Sequence, residues 1–303
     1  MILIRAVYFT DNGNRIADRL KEYFYVEGKP EDISLADWTK DTFEMHLPLI
    51  FIGSTGIAVR TIAPFVTSKL KDSPVIVIDE LGKNVIPILS GHYGGANELA
   101  RLIAKNLGAN PVITTATDLN NVFAVDVFAK KNGLTITDKS LIKQVSAKAL
   151  KGENLDIKQT DDDIIIEGLR LIPKRLILGI GCKKGKDFQE LKDLVNTVYS
   201  DEELNENLYA IASIDVKAEE LGLIKLAEFY GVPFVTFSAE ELQLVEGEFE
   251  ESSFVKDKVG VGNVCERSAL LLAGDEGLLV KNKVAKDGIT LAAAKRTKIY
   301  YVW

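Results

Sequence analysis

Cysteine is scarce in this 303-residue sequence, and so is histidine: each occurs twice, as Cys182 and Cys265, and as His46 and His92. Two cysteines without a Cys-x-x-Cys spacing imply no disulfide framework, and a reducing, cytoplasmic setting is expected. A zinc site would need nearly every cysteine and histidine at spacings that match no known motif, so it is set aside. No apolar run approaches the ~20 residues of a membrane span, and the apolar start meets Asp11 too early for a signal peptide. Positive charge is not in excess either. The formal net charge of −7 argues against nucleic acid or an anionic membrane as partner, while leaving room for a local basic pocket.

What is present is ordinary globular material. Hydrophobic residues make up 47% of the chain and charged residues 27%, enough to bury cores in about two domains. Apolar stretches at residues 2–9, 47–52 and 75–79 read as strands, with helical patterns after the first two. Residues 75–79 and 85–89 flank Leu81-Gly82 as a hairpin. An amphipathic helix carries Leu99, Leu102, Ile103 and Leu107, and Gly108 stops it, because glycine takes the left-handed conformation at little cost. Residues 112–115 read as a further short strand. Between 151 and 174 acids cluster and apolar runs shorten, which marks a connector with a small strand pair. From 175 the alternation restarts, and it closes on a hairpin turning at Asp287-Gly288. The pattern predicts an α/β fold of two domains, residues 1–150 and 175–303, joined by a short connector at 151–174. Each domain is expected to carry a mostly parallel sheet flanked by helices.

Three glycine-rich loops follow strands, where ligands of α/β sheets gather. They are Gly53-Ser54-Thr55-Gly56, Ser90-Gly91-His92-Tyr93-Gly94-Gly95 and Gly179-Ile180-Gly181-Cys182-Lys183-Lys184-Gly185. Glycine lets the backbone approach a ligand, and the helix opening after each loop offers N–H groups and a positive dipole end. Such loops favour anions. The competing reading of residues 179–185 is a tight strand-to-helix turn with solvated lysines. Their pattern nearly matches the dinucleotide fingerprint, but the last glycine comes one residue late.

His92 lies in a glycine-flanked loop near a helix start, where a neutral imidazole is favoured and can act as a base. A lone loop histidine is otherwise structural or simply exposed. Asp79, Glu80 and Asp118 close strands, where they can serve as bases or orient one, or instead close turns and cap helices. Cys182, beside lysines and a helix start, is a candidate nucleophile, although no histidine is close in sequence. Cys265 reads as core.

These residues also carry a resemblance. Gly56-Ile-Ala-Val-Arg60-Thr-Ile-Ala-Pro64, Val77-Ile-Asp-Glu80, Leu89-Ser-Gly-His-Tyr-Gly-Gly-Ala-Asn-Glu-Leu-Ala100 and Pro111-Val-Ile-Thr-Thr-Ala-Thr-Asp118 resemble the cobalt-precorrin-5A hydrolase family of the anaerobic cobalamin pathway. So do the loop at 179–185, Ala212-Ser-Ile-Asp-Val-Lys217, Gly260-Val-Gly-Asn-Val-Cys-Glu266 and Gly288-Ile-Thr-Leu-Ala-Ala-Ala-Lys295 in the second half. The departures are Ser68 before Lys69 where an acid is usual, Lys183-Lys184 where arginines are common, and Cys265 and Arg267 in place of less polar residues. None removes a motif.

The resemblance implies a cytoplasmic carbon–carbon bond hydrolase that opens the δ-lactone of cobalt-precorrin-5A and releases acetaldehyde, giving cobalt-precorrin-5B. It implies no separate metal or nucleotide cofactor, since the cobalt is carried by the tetrapyrrole, and no nucleic-acid or membrane partner. It is compatible with a homodimer and with transient contact with neighbouring pathway enzymes. On this reading His92 is the principal base, Glu80 or Asp79 orients or assists it, and the amides of residues 91–95 face the oxyanion. The substrate, rich in carboxylates, is held by Gly53, Ser54, Thr55, Gly56, Arg60, Ser90, Gly91, Gly94, Gly95, Asn97, Thr115, Gly181, Cys182, Lys183, Lys184 and Asp215, with Lys69 and Lys186 adding charge. Two other readings stay open. One is a corrinoid-binding or handover protein of the same pathway, because the second half also resembles a smaller standalone protein of that pathway. The other is a nucleotide-dependent enzyme using residues 179–185.

Overall fold

The structure, a computed structural model, describes residues 2–68, 71–92, 94–115, 122–160 and 162–302. It divides into two compact units, residues 1–128 with 140–155 and residues 129–139 with 156–303.

In chain order the first unit runs β1 (Leu3–Tyr8), α1 (Asp11–Leu20), β2 (Tyr25–Gly28), α2 (Leu35–Glu44), β3 (Leu49–Ile52), α3 (Thr55–Ile62), β4 (Val75–Ile78), β5 (Asn84–Leu89), α4 (Ala96–Leu107) and β6 (Asn110–Pro111). Helix α5 (Val125–Lys131) opens in this unit and ends in the second. Its strands form one sheet of order β2-β1-β3-β4-β5-β6. Side chains alternate across it. Ile4, Ala6, Ile50, Ile52, Ile76 and Ile78 pack with α1 and α4, while Val7, Leu49, Phe51, Val75 and Val77 pack with α2 and α3. A sheet covered on both faces needs apolar residues at both phases of the period of two. That is why β3 and β4 read as unbroken apolar runs.

The order 2-1-3-4 places the topological switch point between β1 and β3, and the loop at 53–56 leaves the sheet there. β5 is the exception to parallel pairing: Val75 faces Leu89 and Ile78 faces Val85. The carboxyl end of β5 therefore lies at the amino edge of β1, β3 and β4. The strand expected at 112–115 shrinks to Asn110–Pro111, although the Val112 amide still donates to the Val85 carbonyl at 2.9 Å.

From residue 156 on, the stretch read as a connector with a small strand pair belongs to the second unit and carries three strands. Strands β7 (Leu134–Ile136), β8 (Ile157–Gln159), β9 (Ile164–Ile166) and β10 (Leu169–Pro173) form an antiparallel sheet of order β7-β10-β9-β8. The main sheet there has the order β13-β12-β11-β15-β14. Strands β11 (Leu176–Cys182), β12 (Leu208–Ile214) and β13 (Phe234–Phe237) are parallel, and β14 (Leu278–Lys286) and β15 (Ile289–Lys295) join as an antiparallel hairpin. This sheet is thus mixed rather than mostly parallel. The helices Phe188–Asn196 and Leu221–Tyr230 cover one face through Leu191, Leu194, Leu223 and Leu226, and the helix Cys265–Ala273 covers the other through Ala269 and Ala273. No helix among the described residues is long and apolar enough to cross a membrane.

Candidate functional site

Close contacts shape the loop after β5. Ser90 holds a φ of 54°, a conformation that costs a non-glycine residue about 1–3 kcal/mol and persists when its surroundings enforce it. Its hydroxyl donates to the Asp72 carbonyl at 2.8 Å. A Cβ on Gly94 would stand 2.4 Å from the Ser90 Cβ, and one on Gly91 would stand 2.7 Å from Asn97 Oδ1. The carbonyls of Ser90, Gly91 and His92 accept from the amides of Ala96, Asn97 and Gly95 at 3.1, 2.9 and 3.0 Å. The start of α4 is therefore closed by the loop itself, and the Gly95 amide is spent on His92 rather than offered to an oxyanion. Asn97 Nδ2 donates to Thr115 Oγ1 at 2.9 Å.

The fold brings Asp126, in the first turn of α5, to His92. Nδ1 of His92 lies 3.8 Å from Oδ1 of Asp126, and the two side chains are only 16% and 10% exposed. This is an ion-pair distance, longer than a hydrogen bond. Burial pushes the Asp126 carboxyl up, but the His92 imidazole and the amides of Val127 and Asp126 outweigh it and hold the group below its ordinary range. The carboxylate is consequently ionised at neutral pH. The surroundings of His92 in sequence do not announce Asp126. It arrives from beyond α4 and β6, and the only local signal is an acid at a helix start. A buried carboxylate beside an imidazole can fix the ring and stabilise its charged form.

Asp79 and Glu80 do not join this pair. They occupy the β4–β5 turn at the far end of the hairpin. At ~3.4 Å per residue, β5 alone spans about 17 Å. Asp79 Oδ1 accepts from the amides of Leu81 and Lys83, and Oδ2 from the amide and side chain of Asn84 at 2.6 and 2.9 Å. Burial raises this carboxyl, but the four bonds more than offset it and hold the group low. Asp79 is thus spent on turn closure, and Glu80 is exposed beside it.

The same edge carries the loop at 53–56. The Gly53 amide donates to the Ile78 carbonyl at 2.8 Å, and the Phe9 ring lies 3.3 Å from where a Gly53 Cβ would stand. Ser54 and Thr55 are exposed at the start of α3, with Arg60 Nη1 3.4 Å from the Cβ position of Gly56. The loops at 53–56 and 90–95 therefore stand at opposite edges of one sheet. Lys69 and Asp118 lie outside the described residues.

In the second unit the glycines of β11 serve packing. A Cβ on Gly179 would sit 1.8 Å from the Cys265 carbonyl oxygen, and one on Gly181 would sit 2.8 Å from Thr290 Oγ1. The Lys183 amide donates to the Gly288 carbonyl at 2.9 Å. The Gly185 amide donates to Glu220 Oε1 at 2.7 Å, and Lys217 pairs with the other Glu220 oxygen at 2.7 Å. The anion that this loop holds is its own Glu220. Lys186 is paired with Glu190 at 2.6 Å, whereas Lys183, Lys184 and Asp215 are exposed. Burial pushes the Cys182 thiol up to about 11, so it is protonated at neutral pH and is a poor nucleophile. Among the described residues, no group of three or more His, Cys, Asp or Glu is placed to hold a metal ion.

Residues 37–118 match the family model of the cobalamin synthesis G N-terminal region, and residues 176–294 match that of the cobalamin synthesis G C-terminus. The cobalt-precorrin-5A hydrolase of Salmonella typhimurium is 36% identical over 315 residues, covering 91% of this chain and 88% of its own. The cobalt-precorrin-5A hydrolase of Priestia megaterium is 31% identical, covering 82% of this chain and 79% of its own. A crystal structure of CobE, a protein from the cobalamin (vitamin B12) biosynthetic pathway, is 31% identical over 41% of this chain and 92% of its own, with a TM-score of 0.38. With both family models matched in order and two hydrolase relatives aligned along most of its length, the chain belongs to the cobalamin synthesis G family.

Proposed function

We propose that this chain hydrolyses cobalt-precorrin-5A in cobalamin biosynthesis, with His92 as the base that activates water. The substrate assignment rests on the names of the relatives. The observation that carries the residue assignment is the imidazole of His92, held on a tightly bent loop and set against the ionised Asp126. One water is taken up as the δ-lactone opens to a carboxylate and a hydroxyl. That hydroxyl then gives up its proton, the carbon–carbon bond beside it breaks, acetaldehyde leaves, and the macrocycle carbon takes a proton. A single imidazole can serve both proton transfers in turn.

Asn97 and Thr115, bonded to each other at the same edge, belong to the substrate set on this reading. The loop at 53–56 with Arg60 lies across the sheet and holds no part of the reacting lactone. Cobalt enters as part of the substrate, and none of these steps requires a further cofactor. Cys182 and Cys265 are both free, which suits a reducing cytoplasm.

Anaerobic incubation with cobalt-precorrin-5A, following product mass and acetaldehyde together, tests the proposal. Equimolar acetaldehyde with a product lighter by the two-carbon unit and heavier by one water supports it. Tight binding of the intermediate with no change in its mass overturns it in favour of a handover protein.

A further inference from the structure

We propose that Asp126 is the positioning residue of this site: it sets the orientation of the His92 ring and stabilises the imidazolium formed when that ring takes a proton. The catalytic part of this inference rests on the hydrolase reading above. The structural part does not. Asp126 is presented by a firmly held element. Val125, Phe128 and Ala129 of α5 are all 5% exposed or less, and the Phe128 amide donates to the Ala124 carbonyl at 2.9 Å. His92 is presented by a loop whose bends are fixed by Ser90, Gly91 and Gly94. Neither side chain meets the other by chance of a mobile surface.

Charge accounting points the same way. A buried carboxylate is costly unless a cation or several donors face it. Among the described residues, the titratable side chain acting on Asp126 is His92, with the Val127 amide adding a donor at 3.1 Å. Asp72, the other buried acid beside the loop, is already occupied by the amides of Thr67 and Ser68 and the Thr67 hydroxyl. The 3.8 Å separation is of the kind that tightens when substrate binds or the ring is protonated. An acid serving only the helix start would have no reason to stand against an imidazole.

The chain has two histidines, so His46→Gln leaves His92 as the sole imidazole signal in a nitrogen NMR titration. In that background Asp126→Asn is expected to lower the apparent pKa of His92 by about one unit or more, because an opposite charge at this distance favours the charged ring. In otherwise native protein the same substitution is expected to cut kcat by about 100-fold or more while KM changes little. Asp126→Glu, which keeps the charge, is expected to recover part of both. A His92 titration that ignores Asp126→Asn overturns the proposal.

Should the asparagine variant fail to fold, carboxyl titration of Asp126 in His92→Gln gives the same answer by reciprocity. Its pKa is expected to rise, and an unchanged value overturns the proposal. The titrations need no substrate, so the two readings fail separately. A coupled pair in a protein that releases no acetaldehyde overturns only the hydrolase reading. An active hydrolase whose His92 is indifferent to Asp126 overturns only the pairing.

Discussion

Replacing Gly179 with alanine separates two uses of a glycine loop, packing and ligand binding. Gly179 is not among the glycines of positive φ, so alanine brings no backbone strain and the test is purely steric. The new Cβ would stand 1.8 Å from the Cys265 carbonyl oxygen and 2.9 Å from its carbon. Both atoms belong to the backbone of Cys265 in the helix Cys265–Ala273, and the new Cβ is fixed to the backbone of β11, so neither side can swing aside. The helix must retreat by more than 1 Å to reach an ordinary contact of about 3.4 Å. Overpacking of this kind costs about 1–3 kcal/mol and occasionally more, and two unyielding backbones place Gly179→Ala at the top of that range. For a unit of this size, about 3 kcal/mol lowers Tm by roughly 6–12 °C. Calorimetry reads the shift directly, and binding of the cobalt intermediate is measured below the transition. A variant with unchanged Tm and weakened binding would refute the packing account and restore the loop as an anion cradle.

Other outcomes follow from single groups. Asp79→Ala removes the acceptor of four turn bonds and is expected to cost about 1–2 kcal/mol. Acetaldehyde release should stay near normal, since Asp79 is a hairpin length from His92; a hundredfold loss in a folded variant would return Asp79 to the catalytic set. Burial raises the Glu228 carboxyl to about 7, with Lys130 opposing. The folded state therefore holds a proton that the unfolded state releases between about pH 4.5 and 7, and stability falls as pH rises through that window. Glu228→Gln is expected to raise Tm by a few degrees at pH 8 and hardly at all at pH 4.5; equal shifts at both values would contradict the assignment.

Strong local signals were legible in the sequence. Gly108 ends α4 with a φ of 67°, as its place after an apolar helical face predicts. The hairpins β4–β5 and β14–β15 follow from apolar runs around glycine turns. Weak signals were not. β2 is four partly exposed residues, and α2 buries chiefly Trp38 and Phe43 among polar neighbours, so neither shows a clear periodicity. The most consequential difference concerns direction. A hairpin reverses its second strand, which carries the loop at 90–95 to the edge opposite the one that holds Gly53, Asp79 and Glu80. Placing the loops at 53–56 and 90–95 at carboxyl ends is correct strand by strand and still separates them in space, whereas Gly179 and Gly181 lie within β11 rather than after it. Asp126 was invisible for a related reason. Its partner is reached only once the path of β5, α4 and β6 is known, and no local pattern encodes that path.

The most direct test of the account is single-turnover release of acetaldehyde from cobalt-precorrin-5A by native protein and by His92→Ala, with unfolding curves to show that both are folded. Removing a general base costs about 100- to 10,000-fold in rate. The account predicts stoichiometric acetaldehyde from the native chain and a loss in that range for His92→Ala, with binding retained. Native-like release by a folded His92→Ala protein would contradict it.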